Sequence, residues 1–196
     1  MKTIGKPSWL KVRLPSGENY LRIKGLIDKH KIHTICHEAL CPNLGECSDM
    51  GTATFLLLGD KCTRNCLYCN VKFGKPSDTD KLEPWKIANA VKVLNLSYVV
   101  ITSVTRDDLH DGGAFAFADT IEEITRVLPS CKIETLVPDF NGRTESVKKV
   151  IEALPFVFAH NIEVVEDLFA MVRPQGDYRR SLKVLEIAKE FNSNQK

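Results

Sequence analysis

Six of the seven cysteines fall between residues 36 and 69, in two triplets. Cys36, Cys41 and Cys47 are spaced C-x4-C-x5-C, and Cys62, Cys66 and Cys69 are spaced C-x3-C-x2-C inside DKCTRNCLYCN. Thiolates are soft ligands that favour zinc, copper(I) and iron–sulfur clusters. A structural zinc site closes a tetrahedron, usually from paired knuckles. Neither triplet has a fourth cysteine in register. His33 or His37 offers the first triplet a Cys3His set, so zinc stays open there. A cubane [4Fe–4S] cluster on three thiolates leaves one iron without a cysteine, and that iron is free to take a small molecule. A disulfide framework is the weaker reading, because MKTIGKPSWLKVRLP lacks the apolar core of a secretion signal. Cys131, just before an apolar run, reads as a buried small hydrophobe.

Strands alternating with helices must position these thiols. TATFLLLG (52–59) is a continuous apolar run of the kind buried on both faces of a parallel sheet. SYVVITSV (97–104), KIETLVP (132–138) and FVFAHNIE (156–163) are the next three strands. Glu83-Pro84 opens a helix with Ile87, Ala88, Val91 and Leu94 on one face. Phe117, Ala118, Ile121, Ile124 and Leu128 line a second helix, and a short helix surrounds Val147, Val150 and Ile151. Leu182, Leu185, Ala188 and Phe191 line a final one. The pattern predicts an α/β fold, a partial (βα) barrel of about four βα units, with right-handed crossovers and an N-terminal extension. Residues 1–51 form that extension and 52–196 the truncated barrel. Polar residues gather after the strands: Cys62 to Cys69, Arg106 to Gly113, Asp139, and His160 to Glu163. Barrel enzymes put their chemistry at that edge. Four strands cannot close a barrel, so an open edge is expected.

Composition narrows the class. At 43% hydrophobic and 27% charged the chain is ordinary for a globular protein. No apolar run approaches a membrane span of roughly 20 residues. A cytoplasmic or organelle-matrix location is therefore expected. The net charge is only +2, but the first 33 residues carry Lys2, Lys6, Lys11, Arg13, Arg22, Lys24, Lys29 and Lys31 against Glu18 and Asp28. Such an arm either steers an acidic partner or is a solvated surface. Nucleic acid is not expected, because no aromatic-interleaved basic patch accompanies the charge. Trp9 and Trp85 read as packing anchors.

The triplet C-x3-C-x2-C after the first strand, with Tyr68 before the last cysteine, is similar to the signature of radical S-adenosylmethionine (SAM) enzymes. With the upstream triplet, GTATFLLLGDKCTRNCLYC, YVVITSVTRDDLHDGGA, KIETLVPDFNGR, AHNIEVV and VRPQGDYRRSL, nearly the whole chain resembles the lipoyl synthase family. The resemblance implies two [4Fe–4S] clusters, one on Cys62, Cys66 and Cys69, the other auxiliary, on Cys36, Cys41 and Cys47. It implies that the first chelates SAM and splits its sulfonium to a 5′-deoxyadenosyl radical, and that the second is consumed as sulfur source. The implied product is lipoyl, from two sulfur insertions at C6 and C8 of an octanoyl group on a carrier lysine. Implied partners are an octanoylated lipoyl carrier domain, an electron donor such as flavodoxin or ferredoxin, and an iron–sulfur assembly or carrier protein.

The resemblance also suggests cofactor contacts. Gly112 and Gly113 either let the backbone approach the methionyl group or simply turn the chain into a helix. Asp107 and Asp108 bind an ammonium or cap that helix. Asn161 and Glu163 hydrogen-bond ribose hydroxyls or are strand-end polarity. Arg173, and more weakly Arg143, offers a fork for a carboxylate or makes an ion pair. His160 reads as a hydrogen-bonded structural residue. Against the family pattern, the chain lacks the C-terminal third, with two strands and an Arg-Ser-Ser-Tyr motif whose serine ligates the auxiliary cluster; RRSLKV (179–184) is a different motif. Ala116 stands where a histidine is common, and Ser48 where an aromatic is. An inactive or split fragment and a zinc-binding scaffold are the alternatives. Acidic carriers are the expected target of Lys11, Arg13, Arg22 and Lys24.

Overall fold

The computed structural model describes residues 17–30, 32–38, 46–47 and 52–194, with Pro7, Cys41, Asn43, Met50 and Lys196. In chain order the elements are α1 (Glu18–His30), α2 (Ile35–Glu38), β1 (Thr52–Leu57), β2 (Lys61–Cys62), β3 (Lys72–Phe73), α3 (Glu83–Leu94), β4 (Tyr98–Ser103) and α4 (Ala114–Val127). Then come β5 (Lys132–Leu136), a 3-10 turn (Phe140–Gly142), α5 (Thr144–Glu152), β6 (Val157–Ala159), α6 (Glu166–Val172) and α7 (Tyr178–Phe191).

The four apolar runs form one parallel sheet in the order β1-β4-β5-β6. Each new strand lies beside the last, the order of a barrel wall rather than of a doubly wound sheet. The register explains the two faces. Phe55, Ile101, Thr135 and Phe158 fall in one cross-strand row. All four are buried, and the three apolar ones join Ile87, Val91, Phe117, Ile121 and Ile124 of α3 and α4 in one core. The next row, Leu56, Thr102 and Leu136, faces the opposite way and lines a cavity. A one-residue slip would exchange these rows, so the apolar pattern pins the register.

Both open edges are touched by the chain itself. On the β1 side, the Leu56 amide donates to the His33 carbonyl at 2.9 Å, and Thr34 makes an antiparallel bridge with Phe55. On the β6 side, the Phe158 amide donates to the Lys196 carbonyl at 2.9 Å. The N-terminal extension is thus stitched to the sheet through residues 33–34.

Two expectations need correction, and one helix was not foreseen. The extension contains a helix, α1, which buries Ile23 and Ile27 and packs on α3; each buried isoleucine contributes about 1.5–3 kcal/mol. The buried face of α7 is Ser181, Val184, Ile187 and Ala188, whereas Leu185 and Phe191 are exposed. Strict i, i+3 counting drifts around a 3.6-residue turn, so it followed the wrong stripe. Trp85 is half exposed and no packing anchor; Trp9 lies outside the described residues. Also not foreseen were α2, the 3-10 turn, α6 and the two-residue pair β2–β3. The remaining strands and helices lie within the predicted segments.

Candidate functional site

The thiol loop is closed on itself before anything binds it. Lys61 and Cys62 pair in parallel with Lys72 and Phe73, and the Gly74 amide donates to the Cys62 carbonyl at 3.0 Å. Inside that ring the Cys69 amide donates to the Cys66 carbonyl at 3.1 Å. The Cys62 sulfur accepts from the backbone amides of Arg64 (3.4 Å) and Thr105 (3.3 Å). Burial pushes the Cys69 thiol up, and Cys62, Cys66 and Glu163 push it further, because like charges resist crowding.

The three thiols line one cavity of about 380 Å³ at the ends of the sheet strands. Thr54, Leu56, Thr102 and Leu136 floor it, and Tyr68, His160, Asn161, Glu163 and Arg173 also line it. Three buried polar atoms of its lining have no partner among the described residues: Ser103 Oγ, His160 Nε2 and Arg173 Nε. Native structures leave few such groups unmatched, so each points to a ligand atom or water. His160 Nδ1 donates to the Val137 carbonyl at 2.8 Å and burial lowers the ring's pKa. The ring is then neutral, and Nε2 is a bare acceptor. Arg173 donates from Nη1 to the Asn161 carbonyl at 2.9 Å and stacks 5.1 Å over Phe169. Glu163 has φ +70°, a conformation costly for a residue with a Cβ. Its strain sits in the cavity wall.

The first triplet lies nearby. Cys36 is on α2, and the Cys41 amide donates to its carbonyl at 3.1 Å. Burial raises the Cys36 thiol against a lowering hydrogen bond from the Thr54 backbone, and Cys41 and Cys47 raise it further. Asn70 Nδ2 donates to the Glu38 carbonyl at 3.4 Å, joining the two cysteine segments. Among the described residues no three His, Cys, Asp or Glu side chains converge on a single-ion site. His33 bonds Glu38 and His37 bonds Thr34 through their Nδ1 atoms.

A model of the radical SAM superfamily matches residues 56–195, and one described as the N-terminal domain of lipoyl synthase matches residues 2–41. Proteins named lipoyl synthase are similar along nearly the whole chain. That of Caldicellulosiruptor saccharolyticus is 53% identical over 96% of this chain and 66% of its own length. That of Caldicellulosiruptor bescii is 52% identical over 99% of this chain and 67% of its own length. The chain belongs to the lipoyl synthase family. The mitochondrial lipoyl synthase of Nematostella vectensis is 48% identical, over 94% of this chain and 63% of its own length. This family member therefore spans about two thirds of the relatives it matches. Among solved structures, methylornithine synthase aligns with TM-score 0.56 at 11% identity, over 90% of this chain and 49% of that one, which shows the shared fold.

The structure brings some of the residues expected of a lipoyl synthase together and not others. Cys62, Cys66, Cys69, Asn161, Glu163 and Arg173 share the cavity. Gly112, Gly113, Asp107 and Asp108 are not among its lining, and each has a structural task instead. Gly113 has φ +94°, and a Cβ there would lie 2.3 Å from Leu58 Cδ1; at Gly112 (φ +64°) it would press on Phe140. The helix α4 is capped by Asp111, which accepts from the Gly113 and Phe115 amides, and not by Asp107 or Asp108. Asp107 pairs with Arg64 at 2.7 Å and Asp108 with Arg106 at 2.8 Å. Arg143 reaches the Phe140 carbonyl at 3.4 Å, away from the cavity. Arg173 has no carboxylate partner among the described residues. Ser48, Lys2, Lys6, Lys11, Arg13 and Lys31 lie outside them.

Residues that the sequence left unmarked also gather here. Arg64, Asn65 and Leu67, within the thiol loop, are held by Asp107, Asp139, Gln175 and the Val172 carbonyl. The signal was an arginine between ligand-type cysteines, legible only once its two carboxylates are known to be close.

Proposed function

We propose that this chain is the cofactor-binding portion of a lipoyl synthase, which inserts two sulfur atoms at C6 and C8 of a protein-bound octanoyl-lysine. One observation supports the reading most: three thiols and three unpartnered buried polar atoms line a single cavity at the ends of a parallel sheet. The donor set fits a cluster, with soft sulfurs, amide bonds to Cys62 and, among the described residues, no fourth cysteine in the cavity lining.

On this reading Cys62, Cys66 and Cys69 hold one [4Fe–4S] cluster, and Cys36, Cys41 and Cys47 an auxiliary one. The chemistry available with the first bound is one-electron cleavage of the SAM sulfonium, opening an unactivated carbon to attack. The protein's own residues position and enclose. Arg173 presents an unused Nε–H to the SAM carboxylate, and its stack on Phe169 keeps the fork from swinging away. Asn161 and Glu163 take ribose hydroxyls, and neutral His160 accepts one donor hydrogen at Nε2. Within the lining, the apolar side chains of Leu56, Val104, Leu136 and Val137 keep water from reactive species. Residues 1–51 supply the auxiliary site, and 52–196 the barrel wall. Arg22 and Lys24, exposed on α1, belong to the basic surface that docks an acidic octanoylated carrier.

Anaerobic reconstitution followed by iron and acid-labile sulfide analysis tests this. About four irons are expected per occupied triplet, with loss of one set in the Cys62→Ala, Cys66→Ala, Cys69→Ala triple variant. Stoichiometric zinc with no iron chromophore would instead establish a zinc-binding scaffold.

A further inference from the structure

Arg64 stands midway between Cys62 and Cys66, yet its side chain is only 2% exposed. Its guanidinium makes five hydrogen bonds. Nε and Nη2 donate to Asp107 at 2.7 and 2.8 Å, Nη1 and Nη2 to Asp139 at 2.8 and 2.7 Å, and Nη2 also to Asn141 at 2.9 Å. Asp139 is fully buried and takes a further bond from Arg180 on α7 at 2.9 Å. Backbone bonds complete the hold. The Thr63 amide donates to the Thr105 carbonyl at 3.0 Å, Asn65 N to Gln175 Oε1 at 2.8 Å, and Leu67 N to the Val172 carbonyl at 3.0 Å.

Stability does not explain this arrangement, because a buried ion pair often contributes no more than a well-packed apolar replacement. What it does provide is geometry. A planar fork engaging two carboxylates from two different strand ends admits one orientation, which an ammonium would not impose. Residues 63, 65 and 67 are each pinned, so the Cα atoms beside Cys62 and Cys66 have little freedom. We infer that Arg64, clamped between Asp107 and Asp139, is a positioning residue that holds the thiol loop in its cluster-receiving form before any iron arrives. The inference rests on the proposed function for what the loop receives, but the clamp is a property of the iron-free chain.

The test compares the full chain with its R64K variant, which keeps the charge and loses the fork. Iron-free protein is alkylated with iodoacetamide and the modification of each cysteine is followed by mass spectrometry. In R64K, alkylation of Cys62, Cys66 and Cys69 rises about tenfold or more through local opening, while Cys131 and the circular dichroism spectrum are unchanged. After reconstitution, the electron paramagnetic resonance spectrum of the reduced R64K protein differs from wild type in line shape and in its response to added SAM. Equal alkylation rates and an unchanged spectrum overturn the clamp. Should R64K not fold, D107N, whose carboxylate is partly exposed, carries the same comparison with the same two outcomes. A wild-type chain that takes no iron at this triplet refutes the functional reading, and the alkylation ratio still decides the clamp.

Discussion

At the scale of single residues, Asp139 shows how the site is held. Burial alone would raise its carboxyl, but the Arg64 hydrogen bonds and charge outweigh it and, with Arg180, hold it at about 2. An unfolded aspartate titrates near 3.9. The folded pKa is the lower, so the stabilisation is fully present above about pH 4 and is lost as pH falls toward 2, on the order of 2–3 kcal/mol. Urea midpoints measured down that range should fall for wild type and flatten in Asp139→Asn. That variant is also expected to lose about 3–5 kcal/mol near neutrality, because it leaves Arg64 and Arg180 short of a charge. Arg173 offers a second test. Arg173→Ala should weaken SAM binding to the reconstituted chain about tenfold or more, measured by calorimetry, since a charge-assisted bond is worth roughly 1.5–3 kcal/mol. Unchanged affinity would remove Arg173 from the carboxylate role.

Elements carry the next constraint. The turn into α4 packs so tightly that Gly113 has no room for a side chain, with Leu58 directly against it and φ at +94°. Gly113→Ala is therefore expected to cost about 1–3 kcal/mol by thermal denaturation while leaving iron content per folded chain unchanged. A loss of iron with no loss of stability would return Gly113 to the cofactor. The helices and strands were legible where one periodicity ran unbroken, as in ATFLLL or Phe117–Ile124. The face of α7 was not, because leucines at 182 and 185 and the phenylalanine at 191 advertise an apolar stripe that the fold leaves mostly outside. The helix α1 carried a readable signal in Tyr20, Ile23 and Ile27, masked by the surrounding lysines. The pair β2–β3 is too short for any pattern; it exists because the loop must close around its thiols.

For the whole molecule, occupancy should report on stability. If SAM fills the cavity of the reconstituted chain, a concentration one hundred times the dissociation constant stabilises by about 2.7 kcal/mol, read as a rise in melting temperature. No rise at any concentration would mean that the cavity is not its site. Carrier docking belongs to the same scale. Neutralising Arg22 and Lys24 with Lys11 and Arg13 is expected to weaken binding of an octanoylated acidic carrier domain, and to flatten its dependence on salt. Salt-independent binding, unchanged by the four substitutions, would clear the basic arm of that role.

Family membership and the grouping of six thiols into two triplets were readable from the chain alone, because short fixed spacing is a local property that needs no fold to state. So was the order of the main strands, since burial on two faces demands unbroken apolar runs. Which polar residues face the thiols was settled by three-dimensional packing. Asp107, Asp108, Gly112 and Gly113 sit on the right loop but turn to other tasks, while Arg64 and Asp139, 75 positions apart, meet below the cysteines. Side-chain direction at a strand end depends on what neighbouring strands leave unfilled, and that is a long-range fact.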